Sequence, residues 1–127
     1  MEPQSKKTVL IAEDERSFVM AIKLELEKTG YDVSWGSTGA EAMEVLKQRP
    51  VDLVLLDIMM PVKNGFEVLA EMRADDKLKN IPVLVVSNLG QEADAERALS
   101  LGAKEYIVKA DTSIHELIRK VRTIVPI

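Results

Sequence analysis

Short apolar runs alternate along this chain with longer segments whose apolar positions recur every three or four residues. The runs are Val9 to Ala12, Tyr31 to Trp35, Leu53 to Leu56, Val83 to Val86 and Glu105 to Val108. Runs of this length read as strands, and the stretch from Val51 to Leu56 reads as one buried on both faces, like a central strand of a parallel sheet. The longer segments read as helices. Phe18, Ile22 and Leu26 share a face, Glu25, Glu27 and Lys28 take the wet side, and Gly30 stops the helix. Thr38-Gly39-Ala40-Glu41 has the spacing of a capping box and opens a helix carrying Ala42, Val45 and Leu46, which Pro50 helps to end. Val68, Leu69 and Met72 mark a third helix. Ala95, Ala98 and Leu99, closed by Gly102, mark a fourth. Ile114, Leu117, Ile118, Val121 and Val125 form the cleanest stripe.

A strand followed by a helix, five times over, argues for a parallel sheet covered on both faces. Right-handed crossovers narrow the topology. Five units are too few for an eight-stranded barrel, so the fold class is α/β with an open, doubly wound (βα)5 sheet. A length of 127 residues fits one domain. It is expected over residues 7–125, with residues 1–6 a flexible N-terminal tail. With one Trp, two Tyr and two Phe, the core must be aliphatic, and the Met residues read as core filler.

Charge and composition remove several function classes. The net charge is −4 and no Lys/Arg block stands out, so the footprint of a nucleic-acid binder is missing. The chain has no cysteine, which excludes disulfides and thiolate metal sites. The first apolar stretch is too short for a signal peptide, and no run approaches the ~20 apolar residues of a membrane span. A soluble, cytoplasmic domain is the expectation.

The chemistry gathers where the strands end. In a parallel sheet all carboxyl ends lie on one side, the side where open α/β sheets bind ligands. Glu13 and Asp14 follow the first strand, Asp57 the third, Ser87 and Asn88 the fourth, and Lys109 the fifth. Crowded carboxylates repel unless a cation or proton intervenes. Mg2+ suits them, since it takes oxygen ligands and keeps waters for a phosphate-bearing partner. The lysine and the hydroxyl complement it by holding phosphoryl oxygens, and an aspartate among them is a credible nucleophile. The local alternatives are ordinary: Asp57 as a turn residue, Glu13 and Asp14 as caps of the first helix, Ser87 as the cap of the next. Glu15 reads as a solvated first-turn acid, Trp35 as partly buried packing, and His115 as a surface residue without a role.

The order Glu13-Asp14, Asp57, Ser87, Lys109, each after its own strand, resembles the receiver domain of two-component response regulators. The resemblance spans residues 7 to 125 and includes Asp57-Ile58-Met59-Met60-Pro61, Asn64-Gly65 and Gly102-Ala103. It is similar to stand-alone, chemotaxis-type receivers. The resemblance implies a flavodoxin-like sheet of order 2-1-3-4-5 and Mg2+ as cofactor. It implies Asp57 as phosphoacceptor, Asp14 as a direct metal ligand, Glu13 as a ligand through water, and Met59 as a ligand through its backbone carbonyl. Ser87 and Lys109 would hold phosphoryl oxygens, and Tyr106 would swing inward after phosphorylation. The phosphodonor would be a phosphohistidine of a sensor kinase or phosphotransfer protein. The output would be a partner protein docking on the fourth helix, fifth strand and fifth helix. As no effector domain follows Ile127, signalling would run through protein partners, or the chain is a fragment of something longer.

Two departures from the family pattern stand out. Glu13 replaces an aspartate and carries its oxygen further out. Ala110 replaces the proline that usually follows the lysine in a cis peptide, leaving a trans loop or a strained one. The two positions that meter attack by water in the family hold apolar Met59 and Leu89, which points to a long-lived phosphorylated state. A pseudo-receiver that keeps the fold without taking phosphate is the main alternative. An aspartyl phosphatase would want an Asp where Met59 stands, and a flavin carrier would not place acids after its first strand.

Overall fold

The computed structural model describes residues 6–127. The elements alternate as β1 (Thr8–Ala12), α1 (Arg16–Thr29), β2 (Asp32–Gly36), α2 (Gly39–Gln48), β3 (Leu53–Leu56), α3 (Gly65–Ala74), β4 (Val83–Ser87), α4 (Glu92–Ser100), β5 (Glu105–Val108) and α5 (Ile114–Ile124). The five strands form one parallel sheet in the order β2-β1-β3-β4-β5. Of the expected tail, residues 1–5 lie outside the described residues, and Lys6 and Lys7 carry no regular structure.

Successive side chains of a strand point to opposite faces, and this splits the core in two. Val9, Ile11, Leu53, Leu55, Leu84, Val86 and Ile107 pack with α1 and α5 on one face. Leu10, Ala12, Val54, Leu56, Val83 and Val85 pack with α2, α3 and α4 on the other. All four residues of β3 are buried, as its unbroken apolar run predicts. The edge strands β2 and β5 are mostly half-buried.

Several boundaries follow from local chemistry. Gly30 ends α1 at φ 118°, a conformation that favours glycine, and its N–H returns to the carbonyls of Leu26 and Glu27. Arg49, forced out of helical backbone by Pro50, ends α2 with an extended conformation. The capping box expected at Thr38 is only half made. Thr38 accepts from the Glu41 N–H, but the Glu41 carboxylate turns to the Ser37 N–H and hydroxyl. The complete boxes belong to Asn64 with Glu67 on α3 and Ser113 with Glu116 on α5.

Three core expectations need correction. On α1 the buried stripe is Val19, Ile22 and Leu26, with Phe18 only half-buried. On α4 only Ala98 is buried, while Leu99 faces solvent. Met43, Met60 and Met72 fill the core, but Met20 and Met59 are exposed. Tyr31 lies just before β2, wholly buried, and its hydroxyl donates to the Val125 carbonyl at the end of α5.

Leu117 is fully buried between α5 and the sheet. Leu117→Ala should cost about 2 to 5 kcal/mol, read as a lower urea midpoint at unchanged slope.

Candidate functional site

The strand order changes direction between β1 and β3, and ligands of open α/β sheets bind at such a point. Here the two strands exchange a bond at their ends, the Asp57 N–H donating to the Ala12 carbonyl at 2.9 Å. That contact sets Asp57 beside the acids that follow β1. Ligand oxygens of Glu13, Asp14 and Asp57 all lie within 4.8 Å of one another. Glu13 and Asp57 are buried, and Asp14 is exposed at the mouth.

Glu13 is held from several sides. Its Oε1 accepts from Lys109 Nζ at 2.7 Å and its Oε2 from the Glu15 N–H at 2.9 Å. Burial pushes its pKa up to about 7, against the pull of Lys109 and the Glu15 N–H. Its own backbone N–H donates to the Gly36 carbonyl, and its carbonyl accepts from the Trp35 indole N–H at 2.7 Å. Trp35 therefore does more than fill space: it fixes the backbone that aims Glu13.

Lys109 opens a short 3₁₀ turn, Lys109–Asp111, directly after β5. The described residues contain no cis peptide, so the bond to Ala110 is trans. Its ammonium reaches across the rim to Glu13 and to Glu15 Oε1 at 3.1 Å, and lies 4.4 Å from the centroid of the Phe18 ring. Burial works against its charge, but the two carboxylates outweigh that and raise its pKa. Glu15 is thus an ion-pair partner of the lysine rather than a purely solvated acid. Neither Glu15 nor Phe18 carried a sequence signal for this contact, which exists only because β5 ends opposite the start of α1.

Asp57 sits in a tight loop. Its Oδ1 accepts from the Met59 N–H at 3.2 Å. The start of α3 presses against it: a Cβ on Gly65 would come within 2.5 Å of the Asp57 carbonyl oxygen. That close approach explains why glycine follows Asn64. Val62 in the same loop has φ 70°, a left-handed conformation that a β-branched residue rarely adopts.

Ser87 is the last residue of β4 and is fully buried. Leu56 pairs with Val85, so continuing that register puts Ser87 one step above Asp57 on the neighbouring strand. Its Oγ accepts from the Leu89 N–H at 3.3 Å. Tyr106, half-buried on β5, donates its hydroxyl to the Leu89 carbonyl. Burial raises the Tyr106 pKa, and the nearby Ser87 hydroxyl draws it back. A largely apolar groove lined by Ile58, Met59, Met60, Phe66 and Leu89 opens beside Asp14, with Arg97 stacked 4.0 Å over the Phe66 ring. His115 is exposed on α5.

The rim thus brings Glu13, Asp14, Asp57 and Lys109 together and sets Ser87 and Tyr106 beside them through Leu89. The donor set is all oxygen, which suits a hard divalent ion such as Mg2+. Both Glu13 oxygens are already engaged, so Asp14 and Asp57 are the better direct ligands.

Comparison with known proteins agrees with this geometry. A family model for the response regulator receiver domain matches residues 9–122. The chain is 39% identical over 106 residues to a probable transcriptional regulator ycf27 of Guillardia theta, covering 84% of this chain and 41% of that protein. It spans less than half the length of the curated relatives it matches. Among solved structures, the phosphorylated cyanobacterial phytochrome response regulator RcpA superposes with a TM-score of 0.81 at 32% identity, over 94% of this chain and 91% of that one. The Mn(2+)-bound form of response regulator Rcp1 superposes with a TM-score of 0.82 at 27% identity, over 95% and 96%. No helix among the described residues is long and apolar enough to cross a membrane. The chain belongs to the response regulator receiver domain family, with the five-stranded 2-1-3-4-5 sheet of the chemotaxis-type receivers.

Proposed function

We propose that this chain, as a single receiver domain over residues 7–125, is a phosphorylation switch that accepts a phosphoryl group on Asp57. The donor is a phosphohistidine of a sensor kinase or phosphotransfer protein. The observation that carries this reading is the buried Asp57 carboxylate at the strand switch point, with the oxygens of Glu13 and Asp14 beside it and Lys109 paired across the rim. The family match and the RcpA structure, named as phosphorylated, support it, as does the Mn2+ named with Rcp1.

An Asp57 oxygen forms the new bond to phosphorus as the nitrogen–phosphorus bond of the donor breaks, its electron pair staying on the imidazole. Asp14, Asp57 and the Met59 carbonyl, with Glu13 reaching through water, would hold Mg2+, which would supply charge neutralisation for the transferring oxygens. Lys109 grips a phosphoryl oxygen after exchanging one of its acid partners. Ser87 donates its hydroxyl to another, and the site works by positioning and charge rather than by metabolic turnover.

Output follows from the same contacts. When Ser87 turns to the phosphoryl group, the Leu89 N–H loses its acceptor and Leu89 shifts. Tyr106, bonded to the Leu89 carbonyl, moves with it and re-poses the surface of α4, β5 and α5 for a protein partner. The acidic net charge of −4 fits a domain that binds protein rather than nucleic acid or membrane, working in the cytoplasm.

Incubation with Mg2+ and acetyl phosphate should add one phosphoryl mass to the wild type and none to Asp57→Asn. A wild-type mass that never changes would favour the pseudo-receiver. Trp35, the sole tryptophan, donates to the Glu13 carbonyl, so its fluorescence should change on Mg2+ titration. Asp14→Asn should bind the ion about tenfold more weakly or worse, since even outer-shell partners are worth that much. An identical titration curve would remove Asp14 from the ligand set. Met59 and Leu89 line the groove beside the rim and offer water no polar group. Met59→Asn with Leu89→Glu should shorten the life of the phosphorylated form, followed as decay of the added mass. An equal or longer life would reject their shielding role.

A further inference from the structure

Lys109 is held by two carboxylates before any phosphoryl group arrives. An ammonium has three donors. Glu13 Oε1 takes one at 2.7 Å and Glu15 Oε1 another at 3.1 Å, while the Phe18 ring lies 4.4 Å away. Among the described residues no hydrogen bond joins the ammonium to Asp57. A lysine drawn toward Glu13 and Glu15 in this way meets an incoming phosphoryl oxygen in competition with those carboxylates.

The two carboxylates differ in how readily they let go. The Glu13 side chain is 3% exposed and that of Glu15 is 52% exposed. Withdrawing the ammonium from Glu13 would leave a charge buried without its partner, which is strongly unfavourable. Withdrawing it from Glu15 returns that carboxylate to water, and an exposed ion pair is weak. The Glu15 backbone stays fixed meanwhile, because its N–H is bonded to Glu13 Oε2 and it caps the start of α1. Only the side chain has to swing.

We infer that Glu15 is a positioning residue acting through Lys109: a detachable latch that holds the ammonium toward α1 and competes with the incoming phosphoryl group for it. The inference rests on Asp57 being the phosphoacceptor. Glu13 keeps the lysine in the site throughout, and Glu15 sets how much of its charge is free for the donor. Loss of the Glu15 charge should therefore speed phosphorylation while costing the fold no more than one exposed ion pair.

The test compares the rate of Asp57 labelling by acetyl phosphate at saturating Mg2+ in the wild type, Glu15→Gln, Glu15→Asp and Asp111→Asn. Asp111 is an exposed acid of the same 3₁₀ turn as Lys109 but is not bonded to its ammonium. Glu15→Gln should label about two- to fivefold faster, the factor an exposed ion pair can supply. The gain should shrink as salt screens the wild-type pair. Glu15→Asp should fall between, Asp111→Asn should match the wild type, and the melting midpoint of Glu15→Gln should fall by no more than about 5 °C, the cost of one exposed ion pair. Labelling of Glu15→Gln at or below the wild-type rate overturns the latch while leaving the phosphoacceptor intact, and so does equal acceleration by Asp111→Asn. A wild type that takes no label at Asp57 overturns the functional reading and the latch together.

Discussion

One ammonium against a crowd of buried carboxylates is the constraint around which this site is built. Glu13 and Asp57 are withdrawn from water at the same rim, where two charged carboxylates would repel each other and lose their hydration. Lys109 offsets the first of these, and the backbone N–H groups of Glu15 and Met59 offset part of the second. What is left is a site biased toward cations. It is open at Asp14, where the oxygens of Glu13, Asp14 and Asp57 suit a hard divalent ion.

The sheet makes this arrangement possible because three strands deliver the charges. β1 and β3 lie side by side at the switch point, so Glu13, Asp14 and Asp57 meet without any long loop. β5 is two strands away from β3, and its lysine bridges the gap with a long side chain whose apolar stem can lie along buried surface. The layered core holds the strand ends rigid. The loops above them carry the backbone strain: Val62 at positive φ and the exposed Met59 lie next to the Asp57 carboxylate.

The strands and their order of acids were legible because β3 is apolar without interruption and each acid or lysine directly follows an apolar run. Helix existence was legible for α5, whose stripe is regular, and poorly legible for α4, where Ala95, Ala98 and Leu99 suggested a face that buries only Ala98. Capping was misjudged at Thr38 because Ser37 supplies a competing donor pair for Glu41. The Asn64 and Ser113 boxes have the right spacing and could have been found. The contact of Glu15 with Lys109 could not, since residues 94 apart in sequence meet only through sheet order.

Hydride reduction of the labelled protein converts an aspartyl phosphate to the corresponding alcohol, which peptide mass analysis then assigns to one residue. After incubation with Mg2+ and acetyl phosphate, the modified residue should be Asp57 and no other carboxylate of the rim. Modification at Asp14 or Glu13 instead, or a reduced protein with every carboxylate intact, would contradict the account.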